Sequence, residues 1–255
     1  MSNKKNIKMI VTDLDGTFLR EDKTVSKRTI ATFEKCRKLG IKTVYATGRA
    51  GISLSMFSPS LFDGRVVNNG ALAEAGDEIV YIRNVPYEMA RKVLTKCDKK
   101  GLRVASQSER KHYSNFVVSD VWDFITNFEI VDFETHDKDA GKLYCVDCDD
   151  NAAEFIRQNL HDELYLTVAR DGLGQIMHRE AIKSKALAAL ADFWNIDKSE
   201  IVVFGDDLND IDMLQYAGTG VAMGNAVDEV KKIADDTCPT NEEDGIAVWL
   251  EQNVL

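Results

Sequence analysis

Two groups of acidic and amide side chains, each directly behind a short apolar run, are where this chain can do chemistry. Asp13-Leu14-Asp15-Gly16 follows Ile7, Met9, Ile10 and Val11, and Gly205-Asp206-Asp207-Leu208-Asn209-Asp210 follows Ile201-Val202-Val203-Phe204. Such runs, rich in β-branched residues and closed by glycine, suit strands covered on both faces. In extended backbone Asp13 and Asp15 point the same way, because side chains alternate with a period of two. Like charges held so close need a cation, a shared proton or full solvation. An isolated Asp-x-Asp is equally a turn in which each carboxylate bonds its own backbone. In the second group Asp206 and Asp210 stand four positions apart, so a helix starting there turns both, with Asn209, toward one pocket. Capping accounts for one of these polar residues but not readily for all of them. Hard oxygen ligands gathered at a strand end suit Mg2+, which takes few carboxylates and keeps several waters.

Two more groups sit at similar boundaries. Thr47-Gly48-Arg49 lies just past the expected strand Ile41–Ala46, where open α/β sheets place ligand contacts; a helix-capping role for Thr47 fits the same position. Lys183 opens a helix whose apolar residues Leu187, Leu190, Ala191 and Trp194 suit core packing. A helix N-terminus favours anions, so this lysine is misplaced unless an anion is held beside it or solvent absorbs a cost of a few tenths of a kcal/mol.

The elements that must position these groups follow an α/β rhythm. Ser26 caps a helix that runs through Leu39 to Gly40, and another helix-forming segment follows Arg49. Arg65–Asn68 reads as a strand, and Ala71–Ala75 with Glu78–Arg83 as a hairpin about Gly76-Asp77. At Pro86 the pattern changes. A helix runs to Gly101, followed by short strands at Leu102–Ser106, Lys111–Phe116, Lys142–Asp147, Leu164–Ala169 and Gly174–His178, with helices at Val121–Phe128 and Asn151–Leu160. This organisation predicts an α/β core at 1–83 and 181–255, interrupted by an inserted α+β domain at 84–180. Within the insert, Arg110, Lys111, His112 and Tyr113 suit either a polar substrate or a solvated hairpin end. Cys145 and Cys148 have the spacing of a redox or zinc pair, but in one strand an i, i+3 spacing sends the sulfurs to opposite faces, so packing thiols are expected.

With 255 residues, 44% of them hydrophobic, the chain has ample material for packed cores. Its net charge of −10 argues against a nucleic-acid or anionic-membrane surface, both of which call for clustered Lys and Arg. No apolar run reaches the roughly 18 residues needed to cross a bilayer. The start, Met1-Ser2-Asn3-Lys4-Lys5, has no signal-peptide pattern, and the five cysteines are odd in number, so a cytoplasmic protein with reduced thiols is expected. The sequence leaves the oligomeric state open.

Taken together, these residues resemble the haloacid dehalogenase superfamily, and within it the Cof-type phosphatases with a class IIB cap. Asp13-Leu14-Asp15-Gly16-Thr17-Phe18-Leu19, Thr47-Gly48-Arg49, Lys183 and Gly205–Asp210 match the four motifs in order. Asn68-Asn69-Gly70-Ala71, Val221–Ala226 and Asn241–Gly245 match further segments. Ser184 departs from the glycine that commonly follows the motif lysine. The resemblance implies a Rossmann-like parallel-sheet core with an inserted cap. It implies Mg2+-dependent hydrolysis of small phosphorylated metabolites, with Asp13 as nucleophile forming an aspartyl-phosphate and Asp15 as acid and base. Asp13, the backbone carbonyl of Asp15, and Asp206 would hold the metal, with Asp210 in support. Thr47, Gly48, Lys183 and Asn209 would grip the phosphoryl group. A carboxylate attacking a phosphate dianion needs such neutralisation, since two unit charges 4 Å apart interact by roughly 1 kcal/mol in water and about 4 near a protein surface. A phosphomutase and a non-catalytic sugar-phosphate sensor are the alternatives. Sugar phosphates, flavin or pyridoxal phosphates and nucleotides all remain open as ligands.

Overall fold

The computed structural model describes residues 5–49, 59–108, 111–169 and 171–255. The helix-forming segment expected after Arg49, and Arg110, fall outside them. The chain divides into two compact units, Met1–Ile82 with Ile182–Leu255, and Arg83–Ala181.

The first unit is built on β1 (Met9–Thr12), whose four residues are all buried. Helix α1 (Lys27–Lys38) is capped by Ser26, whose hydroxyl accepts the Thr29 N–H at 3.0 Å, and Gly40 leaves it at a φ of +83°. Strands β2 (Lys42–Ala46), β3 (Gly64–Val67), β4 (Leu72–Ala75) and β5 (Glu78–Ile82) follow.

The second unit comprises α2 (Tyr87–Lys99), β6 (Val104–Ser108), β7 (Lys111–Ser114), β8 (Phe128–Ile130), β9 (Lys142–Cys145), α3 (Asp150–Asn159), β10 (Leu164–Val168) and β11 (Gly174–His178). The chain then returns to the first unit with α4 (Lys183–Phe193), β12 (Ile201–Gly205), α5 (Ile211–Tyr216), β13 (Thr219–Ala222), α6 (Asp228–Ile233), β14 (Asp236–Thr237) and α7 (Gly245–Asn253).

The first sheet has the order β14-β13-β12-β1-β2-β3-β4-β5. From β14 to β3 every pairing is parallel, while β3, β4 and β5 form an antiparallel edge. Register matters more than order here. Thr12 lies beside Tyr45 on one side and Phe204 on the other, so β1, β2 and β12 run out at the same level. The residues that follow emerge along one edge, as expected of a crevice at the carboxyl ends of parallel strands. Apolar residues of both sheet faces, among them Met9, Val11, Val44, Val203, Leu187 and Phe33, fill the core beneath.

The second sheet has the order β10-β11-β9-β6-β7-β8 and is antiparallel except for β7 with β8. Its core gathers Val93, Leu94 and Cys97 of α2, Ile156 of α3, and Val104, Leu143 and Ile176 of the strands. Two expectations fail in this unit. No helix forms at Val121–Phe128; a 3-10 turn at Val118–Asp120 is followed by isolated turns, and Phe128 opens β8. The apolar residues there do not share a buried stripe, and Phe124 is 77% exposed, so packing does not carry a helix forward. The second concerns the cysteines. β9 ends at Cys145, and Asp147 at a φ of +52° turns the chain before Cys148, so strand alternation does not separate the two thiols. Both lie with Cys97 in the same core, where burial pushes Cys97 and Cys145 up to about 12 and leaves them as protonated packing groups.

Candidate active site

The end of β1 delivers Asp13 into the interior, where it is 6% exposed. Across from it stands Lys183, the first residue of α4 and 1% exposed, whose Nζ donates to Asp13 Oδ1 at 2.7 Å and to Asp210 Oδ1 at 2.6 Å. Two carboxylates therefore resolve the conflict between a lysine and a helix N-terminus from within the chain. Burial alone would lower the Lys183 ammonium, but the two carboxylates outweigh it and hold it protonated well above its usual range.

Asp210 is fully buried, and its other oxygen accepts the backbone N–H groups of Asp206 at 2.9 Å and Asp207 at 3.1 Å. This carboxylate thus closes the turn after β12 while pairing with Lys183. Asp206, at the exit of β12, accepts from the Thr17 hydroxyl at 2.5 Å. Among the described residues, Asp13, Asp206 and Asp210 form a group in which one carboxylate oxygen from each lies within 4.8 Å of those of the others. Three carboxylates stand around one ammonium, and the acidity of Asp206 and Asp13 reflects their surroundings. Burial pushes Asp206 up to about 6 against the pull of Thr17, with Asp210 and Asp207 adding to the rise. Burial likewise raises Asp13 well above the carboxylate range, although Lys183 pulls it down. A divalent cation fits this excess of hard oxygen charge. Gly16, at a φ of +80°, packs so tightly on the group that a Cβ there would lie 2.3 Å from Asp206 Oδ2.

Asp15 behaves differently from Asp13. β1 stops at Thr12, and Asp15 instead bridges to Leu19, so the strand alternation expected to align the two aspartates does not extend to them. Asp15 is held by a fork from Arg49, Nε at 2.6 Å and Nη2 at 2.5 Å, and by Lys23 Nζ at 2.9 Å. Partial burial works to raise its pKa, but these two cations prevail and hold the carboxyl below its usual value.

Thr47 lies one residue beyond β2 and is 3% exposed, its hydroxyl accepting the Arg49 N–H at 3.1 Å. Gly48 follows in the same turn. Asn209 is exposed on the loop after β12 and donates from Nδ2 to Asn69 Oδ1 at 3.2 Å. Direct contacts thus join Asp13, Lys183, Asp210 and Asp206 into one network, while Asp15, Thr47 and Arg49 form a second, to which Asn69 and Asn209 are tied through the Asn69 N–H on the Thr47 carbonyl.

Sequence reading missed four participants: Thr17, Arg49, Lys23 and Asn69. Thr17, Arg49 and Asn69 were visible inside matched motifs, but their side-chain partners lie up to 189 positions away in the chain. Lys23 carried no pattern, and its place at Asp15 depends on a turn with a φ of +65°.

Residues 10–250 match the model of the haloacid dehalogenase-like hydrolases. The chain is 28% identical over 260 residues to the 5-amino-6-(5-phospho-D-ribitylamino)uracil phosphatase YitU of Bacillus subtilis (strain 168), covering 96% of each chain. It is 27% identical to YbjI of Escherichia coli (strain K12), a phosphatase of the same name, over 94% of each. Among solved structures, the phosphatase BT1666 from Bacteroides thetaiotaomicron superposes with a TM-score of 0.85 at 28% identity, covering 96% of this chain and 94% of that one. The subclass IIB sugar phosphatase BT4131 gives a TM-score of 0.82 at 26% identity, covering 96% and 98%. With a family model that spans nearly its whole length and relatives matched end to end, the chain belongs to the haloacid dehalogenase-like hydrolases.

Proposed function

We propose that this protein is a Mg2+-dependent phosphatase of small phosphorylated metabolites, with Asp13 as its nucleophile. The observation that carries the reading is the buried cluster in which Lys183 bonds both Asp13 and Asp210 while Asp206 stands within 4.8 Å. A structural ion pair needs one carboxylate for one ammonium, whereas this one keeps two carboxylates in surplus. Asp13, Asp206 and the backbone carbonyl of Asp15 would hold the metal, with Asp210 fixing the loop that carries Asp206; the bound cation would neutralise the anions that repel an incoming phosphate.

Asp13 Oδ attacks phosphorus as the bond to the leaving alcohol oxygen breaks, and Asp15 supplies that oxygen's proton. Water then attacks the aspartyl-phosphate, Asp15 takes its proton, and Asp13 is released with inorganic phosphate. The fork from Arg49 keeps Asp15 ionised, the form required of the base in the second step. To act as acid in the first, Asp15 must exchange that fork for a proton when the ester binds. Thr47, the Gly48 backbone, Lys183 and Asn209 supply donors to the phosphoryl oxygens, as preorganised charge stabilisation requires.

The Arg83–Ala181 unit would act as the inserted cap, and the protein would work in the cytoplasm; in support, no helix among the described residues is long and apolar enough to cross a membrane. Release of phosphate from p-nitrophenyl phosphate and from a panel of sugar, polyol and cofactor phosphates, with and without Mg2+, tests the reading. Hydrolysis that stops with a chelator supports it. Isomerisation of a sugar bisphosphate without free phosphate would replace it with a mutase, and ligand binding without turnover with a sensor.

A further inference from the structure

Between β3 and β4 the chain makes a turn through Asn68, Asn69 and Gly70, with φ of +50°, +50° and +99°. Glycine takes this left-handed backbone freely, but asparagine takes it at a cost, and here two stand in succession. Local packing does not offset that cost, since Asn68 is 9% exposed and its Oδ1 is buried without a partner among the described residues. Strain that persists against local stability points to a function elsewhere.

The surroundings of the turn supply one. The Asn68 N–H donates to the Arg49 carbonyl at 2.9 Å and the Asn69 N–H to the Thr47 carbonyl at 3.0 Å. Asn69 Oδ1 accepts from Asn209 at 3.2 Å and lies 2.7 Å from where a Cβ on Gly48 would be. Gly70 lies against the start of α4, where an added Cβ would come within 2.7 Å of the Lys183 backbone nitrogen. One three-residue turn therefore touches the segments carrying Thr47, Gly48, Lys183 and Asn209, which arrive from β2, α4 and β12. We infer that Asn69 is a positioning residue that holds the exposed Asn209 carboxamide in register with the Thr47-Gly48 turn, so that both address one phosphoryl group. The inference rests on the phosphatase reading above. With one N–H of Asn209 committed to Asn69, the other is left for a phosphoryl oxygen, and an exposed side chain is spared the entropy of finding that orientation.

Asn69→Gly separates this role from a structural one, because glycine relieves the left-handed strain while removing the carboxamide. The variant should melt at or above the wild-type temperature, yet its KM for p-nitrophenyl phosphate should rise and its inhibition by orthovanadate weaken by about tenfold, the size of one lost polar contact. Asn209→Ala should lose a similar factor, and the double variant little more than either alone. Wild-type KM and vanadate inhibition in Asn69→Gly, or fully additive losses in the double variant, would overturn the inference while leaving the phosphatase intact. A wild-type chain that neither hydrolyses p-nitrophenyl phosphate nor binds orthovanadate by calorimetry overturns both.

Discussion

The two units bury polar groups of different kinds. In the first, the ionisable Asp13, Lys183 and Asp210 are between 0% and 6% exposed. In the second, the buried polar residues among those described are Ser106, Gln107, His112, Ser114 and His136, and burial lowers both histidines, so that all five are neutral near pH 7. Neutral polar groups need only partners, as His112 finds in Tyr144 at 2.8 Å and His136 in Ser106 at 3.2 Å. Buried charge is far more expensive, and a pair rarely improves on a well-packed apolar core. Three such groups held together are what the proposed phosphatase chemistry would require, and a parallel sheet with aligned strand ends is what brings them to one place.

This contrast can be broken by experiment. Asp13→Asn should lower phosphatase turnover by roughly 10^3-fold or more, as for loss of a covalent nucleophile, with the far-ultraviolet circular dichroism unchanged; near-normal rates would remove Asp13 from the mechanism. Lys183→Met leaves Asp13 and Asp210 buried without their ammonium and should cost about 3–5 kcal/mol in urea unfolding of the metal-free protein. A loss below about 1 kcal/mol would mean that the cluster is not the charged assembly described.

The third prediction concerns pH. Asp206 sits at about 6, above the 3.8 of an unstructured carboxyl, and Asp13 is raised as well. A raised acid favours folding only while protonated, so its contribution is complete below a pH of about 4 and is lost as pH rises through about 6. In chelator, the melting temperature of wild type relative to Asp206→Asn should therefore fall across that window, and excess Mg2+ should reverse the fall above it. A flat difference would show that Asp206 is not strained by its neighbours. The smallest effect belongs to the second unit. Gln107→Leu removes a buried side-chain oxygen that has no partner in the described structure, and should change stability by less than about 1 kcal/mol.

Legibility in the sequence followed the same division. The strand before Asp13, the helix capped by Ser26 and the strand before Asp206 were readable because local pattern and final burial agree there. Asp13, Asp206, Asp210 and Lys183 were readable because each stands at a strand exit or a helix start. The direction of Asp15 was not, since it depends on where β1 stops and on cations supplied by two loops. The supposed helix around Trp122 failed because aromatic spacing there serves exposed turns and an edge of Tyr144, 5.6 Å away, rather than a helical stripe. Cys145 and Cys148 are the packing thiols expected, but their placement on opposite faces was misread because one left-handed residue, Asp147, ended the alternation on which it relied.

The central place of β1 in its sheet also has a consequence for biosynthesis. Its partner β2 is translated soon after it, but β12 comes from the far end, and Lys183 is 170 positions downstream of the aspartate it neutralises. A nascent chain halted on the ribosome before β12 would display an apolar strand with one flank unpaired and a lone acid at its tip. The earliest-made third of this protein therefore completes its sheet, and gains the ammonium that bonds Asp13, only once the latest-made third has been translated.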